Sequence, residues 1–355
     1  MATHHKKPTM SDIAQSVGVS QATVSLVINN APGTRISPVT RERVLRVAIS
    51  LGYEKISSLH KPGRMIGLLI NELTTSQHAA GLIEFVREEA AAHDCLVTVI
   101  ATQGIEEVEF EALEYLLGRP LVGIIYATLL TQGVKPPHRL HEVPTVLLNC
   151  HSIKNDFPSV VPSDIAGGFT ATSALLDAGH KRIAMINGED WIQASRDRLL
   201  GYRQALNTYD IAVDPALIVS GGWTFGNGRN QTHKLLDLQN PPTAIFCYCD
   251  RMALGAYEAV RSRGLRIPQD VSIVGFDNEA FAAEMEPPLT TIILPHEDMA
   301  RWAVSRLLEN GSSKSISRKY HKLKMECELV QRESISKTEI AGSHKSVNSI
   351  NINSV

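Results

Sequence analysis

The chain has 355 residues, of which 43% are hydrophobic and 20% charged, with a formal net charge of −2 at pH 7, as expected of a globular protein with more than one folded unit. No apolar run approaches the roughly 20 residues that a membrane span needs, and no signal region follows the basic N-terminus, so we expect a cytoplasmic protein without a membrane partner. Five scattered cysteines favour reduced, buried thiols over disulfides or a metal site.

The small net charge conceals an uneven distribution along the chain. Residues 1–64 contain nine lysines and arginines against three acidic residues, a net charge of +6, whereas the rest of the chain carries −8. A compact basic head on an acidic body is typical of a phosphate-binding module joined to a second unit. We therefore expect the head to bind a nucleic acid.

Residues 1–53 predict three short helices. Thr9 and Ser20 are suited to cap the first two, Gly18 supplies the turn between them, and Ser37 with Pro38 begins the third. Apolar residues at helical spacing form the predicted inward faces: Met10, Ile13, Ala14, Val17, Val24, Val27, Ile28, Val44, Val47, Ala48 and Leu51. Helix, tight turn and helix, completed by a third helix, is the pattern of a small all-α helix-turn-helix domain.

After a predicted linker over residues 54–64, strand-like apolar runs alternate with amphipathic helical stretches up to residue 333. The predicted strands are Ile66–Ile70, Leu96–Ile100, Gly123–Tyr126, Thr145–Leu148, Arg182–Ile186, Leu217–Val219, Ala244–Cys247 and Ser272–Phe276. The predicted helices include Gly81–His93, Glu107–Leu117, Ile165–Ala178, Arg196–Asn207 and Arg251–Arg263. This alternation predicts an α/β unit with parallel sheets covered on both faces.

Two successive halves of this kind predict two lobes with a binding cleft between them. We assign about 65–161 and 291–317 to lobe 1, and about 162–290 and 318–333 to lobe 2. Residues 334–355 are rich in serine, lysine and asparagine and are expected to form a flexible tail.

Several segments of the chain occur together in one known family, in the same order. They are Thr9–Ala14, Gly18–Ser25, Leu51–Tyr53, Ala178–Ala184, Asp250–Ala256, Asp270–Asn278, Pro287–Ile292 and Glu328–Ser334. On these residues the chain resembles the lactose-repressor/galactose-repressor family over nearly its whole length. The resemblance implies a two-lobed α/β domain of the periplasmic-binding-protein-like type. It also implies a homodimeric repressor of carbohydrate uptake or catabolism genes, controlled by a small sugar-like effector.

The resemblance further implies that the second helix of each head enters the major groove of a palindromic operator half-site on double-stranded DNA. Gln21 and Ala22 would face base edges. Leu26 stands where many relatives carry an arginine that reads guanine, and it can offer only apolar contact, for example to a thymine methyl. The implied phosphate contacts are Thr9, Ser20, Thr23, Ser25 and Asn29. The alternative is an ordinary solvated helix face.

The linker departs from the family pattern. Relatives carry a hinge helix after the tyrosine, and a leucine of that helix wedges into the minor groove. Here Tyr53 leads into Glu54-Lys55-Ile56-Ser57-Ser58-Leu59, and the segment before Ile66 is shorter by about one helical turn. Leu59 is either the leucine that inserts into the minor groove or an ordinary linker residue. The sequence therefore does not decide whether an effector acts through a hinge helix.

For the cleft, the resemblance implies that Arg198 grips ligand oxygens, Asp277 accepts hydrogen bonds from hydroxyls, and Trp223 stacks on a sugar face. Cys249 stands where relatives often carry an asparagine, which makes that contact less polar. The alternative is that Arg198 and Asp277 form a structural ion pair and Trp223 belongs to the core.

No Gly-x-Gly-x-x-Gly, Walker loop, Gly-x-Ser-x-Gly or metal-ligand spacing is found, so we expect neither an enzyme nor a cofactor. His180 follows a helix-ending glycine and is interpreted as a capping or interlobe contact rather than a catalytic base. A sugar receptor without DNA function is the alternative for the whole chain, and the head argues against it. The tail lacks leucine heptads, which favours a dimer over a tetramer.

Overall fold

The computed structural model describes residues 8–28, 36–51, 53, 64–73, 77–310 and 320–338. The head contains α1 (Met10–Val17), α2 (Gln21–Ile28) and α3 (Pro38–Ser50), which confirms the predicted helix-turn-helix region. Its buried core is Ile13, Ala14, Val17, Val24, Val27, Ile28, Val44 and Ala48. Leu51, expected to point inward, is instead 39% exposed. Asn29, Leu59 and the linker up to residue 63 lie outside the described residues.

Local hydrogen bonds explain where the first two helices begin. The Thr9 hydroxyl accepts from the Asp12 amide at 3.3 Å, and the Asp12 carboxylate accepts from the Thr9 amide at 2.7 Å, a reciprocal capping box. Gly18 then turns the chain with φ of 75°, a conformation that glycine adopts without steric cost. The Ser20 hydroxyl accepts from the Thr23 amide at 3.0 Å and starts α2.

Lobe 1 is built on a six-stranded parallel sheet with the order β11-β5-β4-β3-β1-β2. Its strands are β1 (Arg64–Ile70), β2 (Cys95–Ala101), β3 (Leu121–Val134), β4 (Thr145–Ser152), β5 (Ser159–Pro162) and β11 (Lys322–Met325). Its helices are α4 (Gln77–Ala92), α5 (Glu106–Leu117) and α10 (His296–Asn310). Apolar clusters lie on both sheet faces, as the near-continuous hydrophobic strands predict.

Lobe 2 is built on a second six-stranded sheet with the order β12-β10-β9-β8-β6-β7. Its strands are β6 (Ile183–Asn187), β7 (Ile218–Ser220), β8 (Ala244–Cys247), β9 (Ser272–Asp277), β10 (Thr290–Ile293) and β12 (Leu329–Val330). Its helices are α6 (Asp164–Asp177), α7 (Gln193–Thr208), α8 (Phe225–Leu236) and α9 (Asp250–Ser262). Only β12 runs antiparallel to its neighbour among the strand pairs of the described residues. The predicted fold class is confirmed.

The chain passes from lobe 1 back to lobe 2 later than expected, after β11 rather than near residue 318. Strand β11, assigned by sequence to lobe 2, pairs with β5 in the sheet of lobe 1. Strand β10 belongs to lobe 2 as far as Ile293, close to the expected boundary at about residue 291. The crossing segments hydrogen bond to one another: Ser163 N–H donates to the Met325 carbonyl and Ile293 N–H to the Glu328 carbonyl. Short strands whose partners are distant in sequence give too weak a local pattern to be located in advance.

The predicted flexible tail does not begin at residue 334. The Ser334 hydroxyl is buried and donates to the Ile273 carbonyl at 2.6 Å, and the Thr338 amide donates to the Ala178 carbonyl at 2.9 Å. His180 contributes to the same anchor, with ring nitrogens 3.0 Å from the hydroxyls of Thr243 and Ser272. His180 is therefore a contact within lobe 2 and not between the lobes, and its amide donates to the Leu175 carbonyl at 3.2 Å, the capping contact that was the other prediction. Residues 339–355 lie outside the described residues.

Helices α6 and α7 approach closely through glycines. A Cβ on Gly168 would lie within 2.9 Å of the Arg198 Cα, and a Cβ on Gly201 would lie within 2.6 Å of the Phe169 amide nitrogen. Real Cβ atoms do not approach backbone so closely, so both positions require glycine. This contact places Arg198 of α7 directly against α6.

None of the helices in the described ranges combines the length and apolar character that crossing a bilayer requires. All five cysteines are buried and unpaired, as expected.

Candidate functional site

A cleft lies between the two sheets, with a cavity volume of about 150 Å³. Lobe 1 contributes Glu72, Leu129, Leu130, Thr131 and Asn149, and lobe 2 contributes Trp191, Ala194, Arg198, Trp223, Tyr248, Cys249, Arg251, Asp277 and Glu279. Leu294 and His296, near the second crossing, complete the lining. The four side chains predicted from sequence, Arg198, Trp223, Asp277 and Cys249, thus line one cleft.

Arg198 is almost entirely enclosed, with only 4% of its surface exposed. Its Nε donates to Asp164 at 2.8 Å and its Nη1 to the Tyr248 carbonyl at 2.6 Å, and Nη1 lies 3.5 Å from Asp277. The guanidinium carbon lies 3.5 Å from the centroid of the Phe276 ring. Protein groups therefore hold the guanidinium in a fixed orientation. The ion pair between Arg198 and Asp277, which was the alternative to a role in ligand binding, is present.

The pairing with Asp164 was not anticipated from sequence. Burial raises the pKa of Asp164 even though Arg198 acts in the opposite direction. Its Oδ2 is buried and has no hydrogen-bond partner among the described residues, and the same is true of the Ser195 hydroxyl and the Asn187 amide. None of these three residues lines the cavity itself.

Asp277 sits at the carboxyl end of β9, in a backbone conformation that only glycine adopts easily. Its φ is 111°, and the next residue, Asn278, has φ of 55°. Arg332 supports this turn by donating to the Asn278 side chain and to the Leu289 carbonyl, each at 2.7 Å. Strained backbone at a cleft is commonly retained where it orients a functional side chain.

Trp223 and Cys249 are in contact at the lobe 2 wall. Trp223 is half-buried and packs against the apolar cluster beneath it, and its carbonyl accepts from the Cys249 thiol at 3.7 Å. Burial raises the pKa of Cys249, so the thiol stays protonated. Trp223 thus packs on the core with one part of its ring and lines the cleft with another, so the core interpretation and the ligand-stacking interpretation each describe part of its surroundings.

The lobe 1 wall was missed by sequence reasoning. Residues 128–131 bulge out of β3, where its register with β4 shifts. Asn149 holds the bulge by donating to the carbonyls of Thr128 and Leu129, and it accepts from the Thr131 hydroxyl at 2.8 Å. A bulge at the end of a strand redirects side chains toward a site, and its position depends on pairing that no local pattern reveals.

Asp250 lies behind the cleft at the start of α9. The Thr291 hydroxyl donates to it at 2.6 Å and the Glu279 amide at 2.8 Å. Burial, reinforced by the charge of Asp277, raises the pKa of Asp250 to about 8. The folded protein therefore holds a proton here that the unfolded chain releases near pH 4.

Replacing Asp250 by asparagine, which resembles the protonated acid, is expected to reduce the loss of stability on raising the pH. Because the pKa is higher in the folded state, the proton stabilises the fold fully below pH 4, and this contribution is lost as the pH rises toward 8. The native protein should lose about 1.4 kcal/mol per pH unit relative to the variant across this window. Urea unfolding at pH 5, 6, 7 and 8 measures the difference, and parallel stability curves would contradict the assignment.

In the head, α2 presents Gln21, Ala22 and Leu26 at the surface, while Val24 on its opposite side is fully buried. Thr9 and Ser20, implied as phosphate contacts, are also the caps of α1 and α2. Thr23 and Ser25 are half-buried beside them. Gln21, Ala22 and Leu26 therefore form an exposed edge of α2.

Two family models match the chain: bacterial regulatory proteins of the lacI family over residues 9–55, and a periplasmic binding protein-like domain over residues 172–335. The ribose operon repressor of Haemophilus influenzae is 32% identical over 332 residues, covering 92% of this chain and 98% of that protein. The lac repressor dimer bound to operator and the anti-inducer ONPF matches with a TM-score of 0.68 and 26% identity over 93% of this chain and all of that one. The transcriptional regulator CelR in complex with cellobiose matches with a TM-score of 0.64 and 29% identity, over 92% of this chain and 99% of that one.

Proposed function

Because the chain belongs to the lacI family of bacterial regulatory proteins, and is therefore a DNA-binding transcriptional regulator, we propose that it represses genes for the uptake or breakdown of a carbohydrate. It binds a palindromic operator as a homodimer, and a sugar or sugar derivative in the cleft controls that binding. The ribose operon repressor and the CelR–cellobiose complex support a sugar-like effector, and the operator-bound lac repressor dimer supports the assembly.

The observation that carries the DNA-binding role is the exposed edge of α2 on a basic head. Gln21 and Ala22 lie in its first turn, where a helix lying in the major groove brings side chains to base edges. Positive charge in the head supplies the attraction to phosphates. A sugar receptor without DNA function, the alternative, leaves both features unexplained. Since its partner is DNA, the protein acts in the cytoplasm. It is not an enzyme, because regulation by binding requires no catalytic residue.

The position of the cleft explains how an effector acts. Leu129 and Thr131 come from lobe 1, and Arg198 and Asp277 come from lobe 2, so one ligand contacts both lobes. A ligand that binds one lobe arrangement more tightly shifts the population toward it. Because residues 64–73 at the start of lobe 1 lead directly from the linker, a change in lobe arrangement alters the relative placement of the two heads in a dimer.

The proposal is tested by selecting sequences from random duplexes with the full-length protein, followed by fluorescence anisotropy on the selected site. A palindromic sequence should emerge, and affinity should fall by a factor of at least about 10³ between 50 and 200 mM salt, as for proteins that contact six or more phosphates. A sugar from a screening panel should then change that affinity. Failure to select any sequence, or an affinity independent of salt, would reject the regulator.

Leu26→Arg is expected to change which base is preferred at one position of each half-site. Leucine contacts only apolar groups, whereas arginine binds the O6 and N7 of guanine, a discrimination of about 1–3 kcal/mol. Repeating the selection with this variant should enrich guanine at one step. Gln15→Arg adds the same charge to the exposed surface of α1 and should tighten binding without changing the preferred sequence. Identical selected sequences for the native protein and Leu26→Arg would place Leu26 away from the bases.

A further inference from the structure

Trp191 is an unusually exposed aromatic side chain at the edge of the cleft. Its side chain is 63% exposed, and it lies in the loop that follows β6, a buried strand of lobe 2. The indole N–H donates to the Glu189 carboxylate at 3.0 Å, so one edge of the ring is tied to the protein. A tryptophan held in this way offers a broad apolar face at small entropic cost.

Trp191 is paired with the inner tryptophan of the cleft. The ring centroids of Trp191 and Trp223 are 6.4 Å apart and their planes make an angle of 76°. Trp223 packs on the core of lobe 2, and both rings line the cleft together with Leu129 and Leu130 of lobe 1. The cleft therefore has two aromatic faces set at an angle, one inner and one outer.

The exposure of the two rings separates these two faces into an inner and an outer position, because Trp223 packs on the core of lobe 2 whereas Trp191 is 63% exposed. A cavity of about 150 Å³ admits roughly one six-membered ring, to judge from an engineered cavity of that size that binds benzene. A ring held by Arg198, Asp277 and Trp223 thus occupies the interior. A second ring attached to it has to lie toward the opening, over Trp191.

The charges at the cleft disfavour an anionic ligand. Three carboxylates, from Glu72, Asp277 and Glu279, line it together with the guanidinium groups of Arg198 and Arg251. Arg198 already contacts two carboxylates, Asp164 and Asp277, so its charge is balanced within the protein. A phosphate or carboxylate on the ligand would add to an existing excess of negative charge.

We infer that the effector is a neutral saccharide of two rings, and that Trp191 is the residue that stacks on the outer ring. The inference rests on the proposed function, since it specifies the ligand of the same cleft. Trp191 binds the outer ring through its apolar face, and Trp223 binds the inner ring in the same way. Specificity for two rings over one comes from the outer face alone.

The test is calorimetric titration of the full-length protein with neutral monosaccharides, the disaccharides built from them, and glucose 6-phosphate. One disaccharide should bind at least tenfold more tightly than its constituent monosaccharides, and glucose 6-phosphate should not bind. Trp191→Ala should lower the affinity for the disaccharide at least tenfold and the affinity for the monosaccharide far less. Tyr115→Ala removes an aromatic that is 49% exposed on α5 and does not line the cleft, and it should change neither affinity.

The outcomes separate the two proposals. A monosaccharide that binds as tightly as any disaccharide, or disaccharide binding that survives Trp191→Ala, overturns the role of Trp191 and leaves the repressor proposal intact. Preferential binding of glucose 6-phosphate overturns the inference of a neutral ligand. If no saccharide binds while the protein still selects an operator, the carbohydrate effector itself is rejected.

Discussion

Replacing Arg198 by alanine is expected to lower the free energy of unfolding by about 3–5 kcal/mol and to abolish the effector response. The guanidinium is buried between Asp164 and Asp277, so its removal leaves two carboxylates without their cation. The loss should deepen as the pH rises, because burial already raises the pKa of Asp164 and the variant lacks the charge that opposes this shift. Urea unfolding at several pH values, with operator binding measured below the unfolding transition, provides the readout.

Two further variants make this result specific. Arg301→Ala removes an arginine that pairs with Glu297 and Asp298 on the exposed surface of α10, and it should cost no more than about 1 kcal/mol. Combining Arg198→Ala with Asp164→Asn removes one orphaned carboxylate and should restore part of the lost stability but not the effector response. Equal losses for the two arginine variants would contradict the buried cluster. A stable Arg198→Ala variant that still responds to the effector would show that Arg198 neither binds ligand nor pairs structurally.

Replacing Gly168 by alanine is expected to destabilise the protein by about 1–3 kcal/mol and to weaken effector binding. Alanine favours a helix over glycine by roughly 1 kcal/mol, so helix propensity alone predicts a gain in stability. A Cβ at this position meets the backbone of Arg198, however, and α7 has to move away from α6. The movement displaces the guanidinium from the cleft. Thermal unfolding and calorimetric titration measure the two effects.

Gly81 provides the matched control. It lies in α4, and a Cβ built on it meets no atom within 4 Å. Gly81→Ala should therefore raise stability by roughly 0.4–1 kcal/mol, because the unfolded chain loses conformational freedom and nothing in the fold is displaced. If both substitutions stabilise the protein, the close contact between α6 and α7 is not what orients Arg198.

Much of the fold was predictable because its signals are local. The three head helices follow from caps at Thr9 and Ser20 and from apolar spacing, and eight of the strands follow from continuous apolar runs. Strands β5, β10, β11 and β12 were not located. They are two to four residues long, and pairing with segments far away in the chain is what makes them strands.

The cleft was predictable only in part. Family resemblance identified Arg198, Trp223, Asp277 and Cys249, and the structure places them on one surface. It did not identify Trp191, although a tryptophan in the loop after the predicted strand Arg182–Ile186 was an available signal. The anchored segment that includes Ser334 was mistaken for tail because its polar composition resembles that of a disordered chain, and only its buried partners distinguish it.

The amino-acid sequence by itself determined the helix-turn-helix head and the alternating α/β body, and its motif order identified four residues of the cleft, because capping, periodicity and motif order are properties of neighbouring residues. Tertiary structure alone decided which strands join which sheet, that Asp164 shares Arg198 with Asp277, and that Trp191 stands beside Trp223. These features depend on the burial of charge and on contacts between residues far apart in the chain, and both arise only when each lobe has folded.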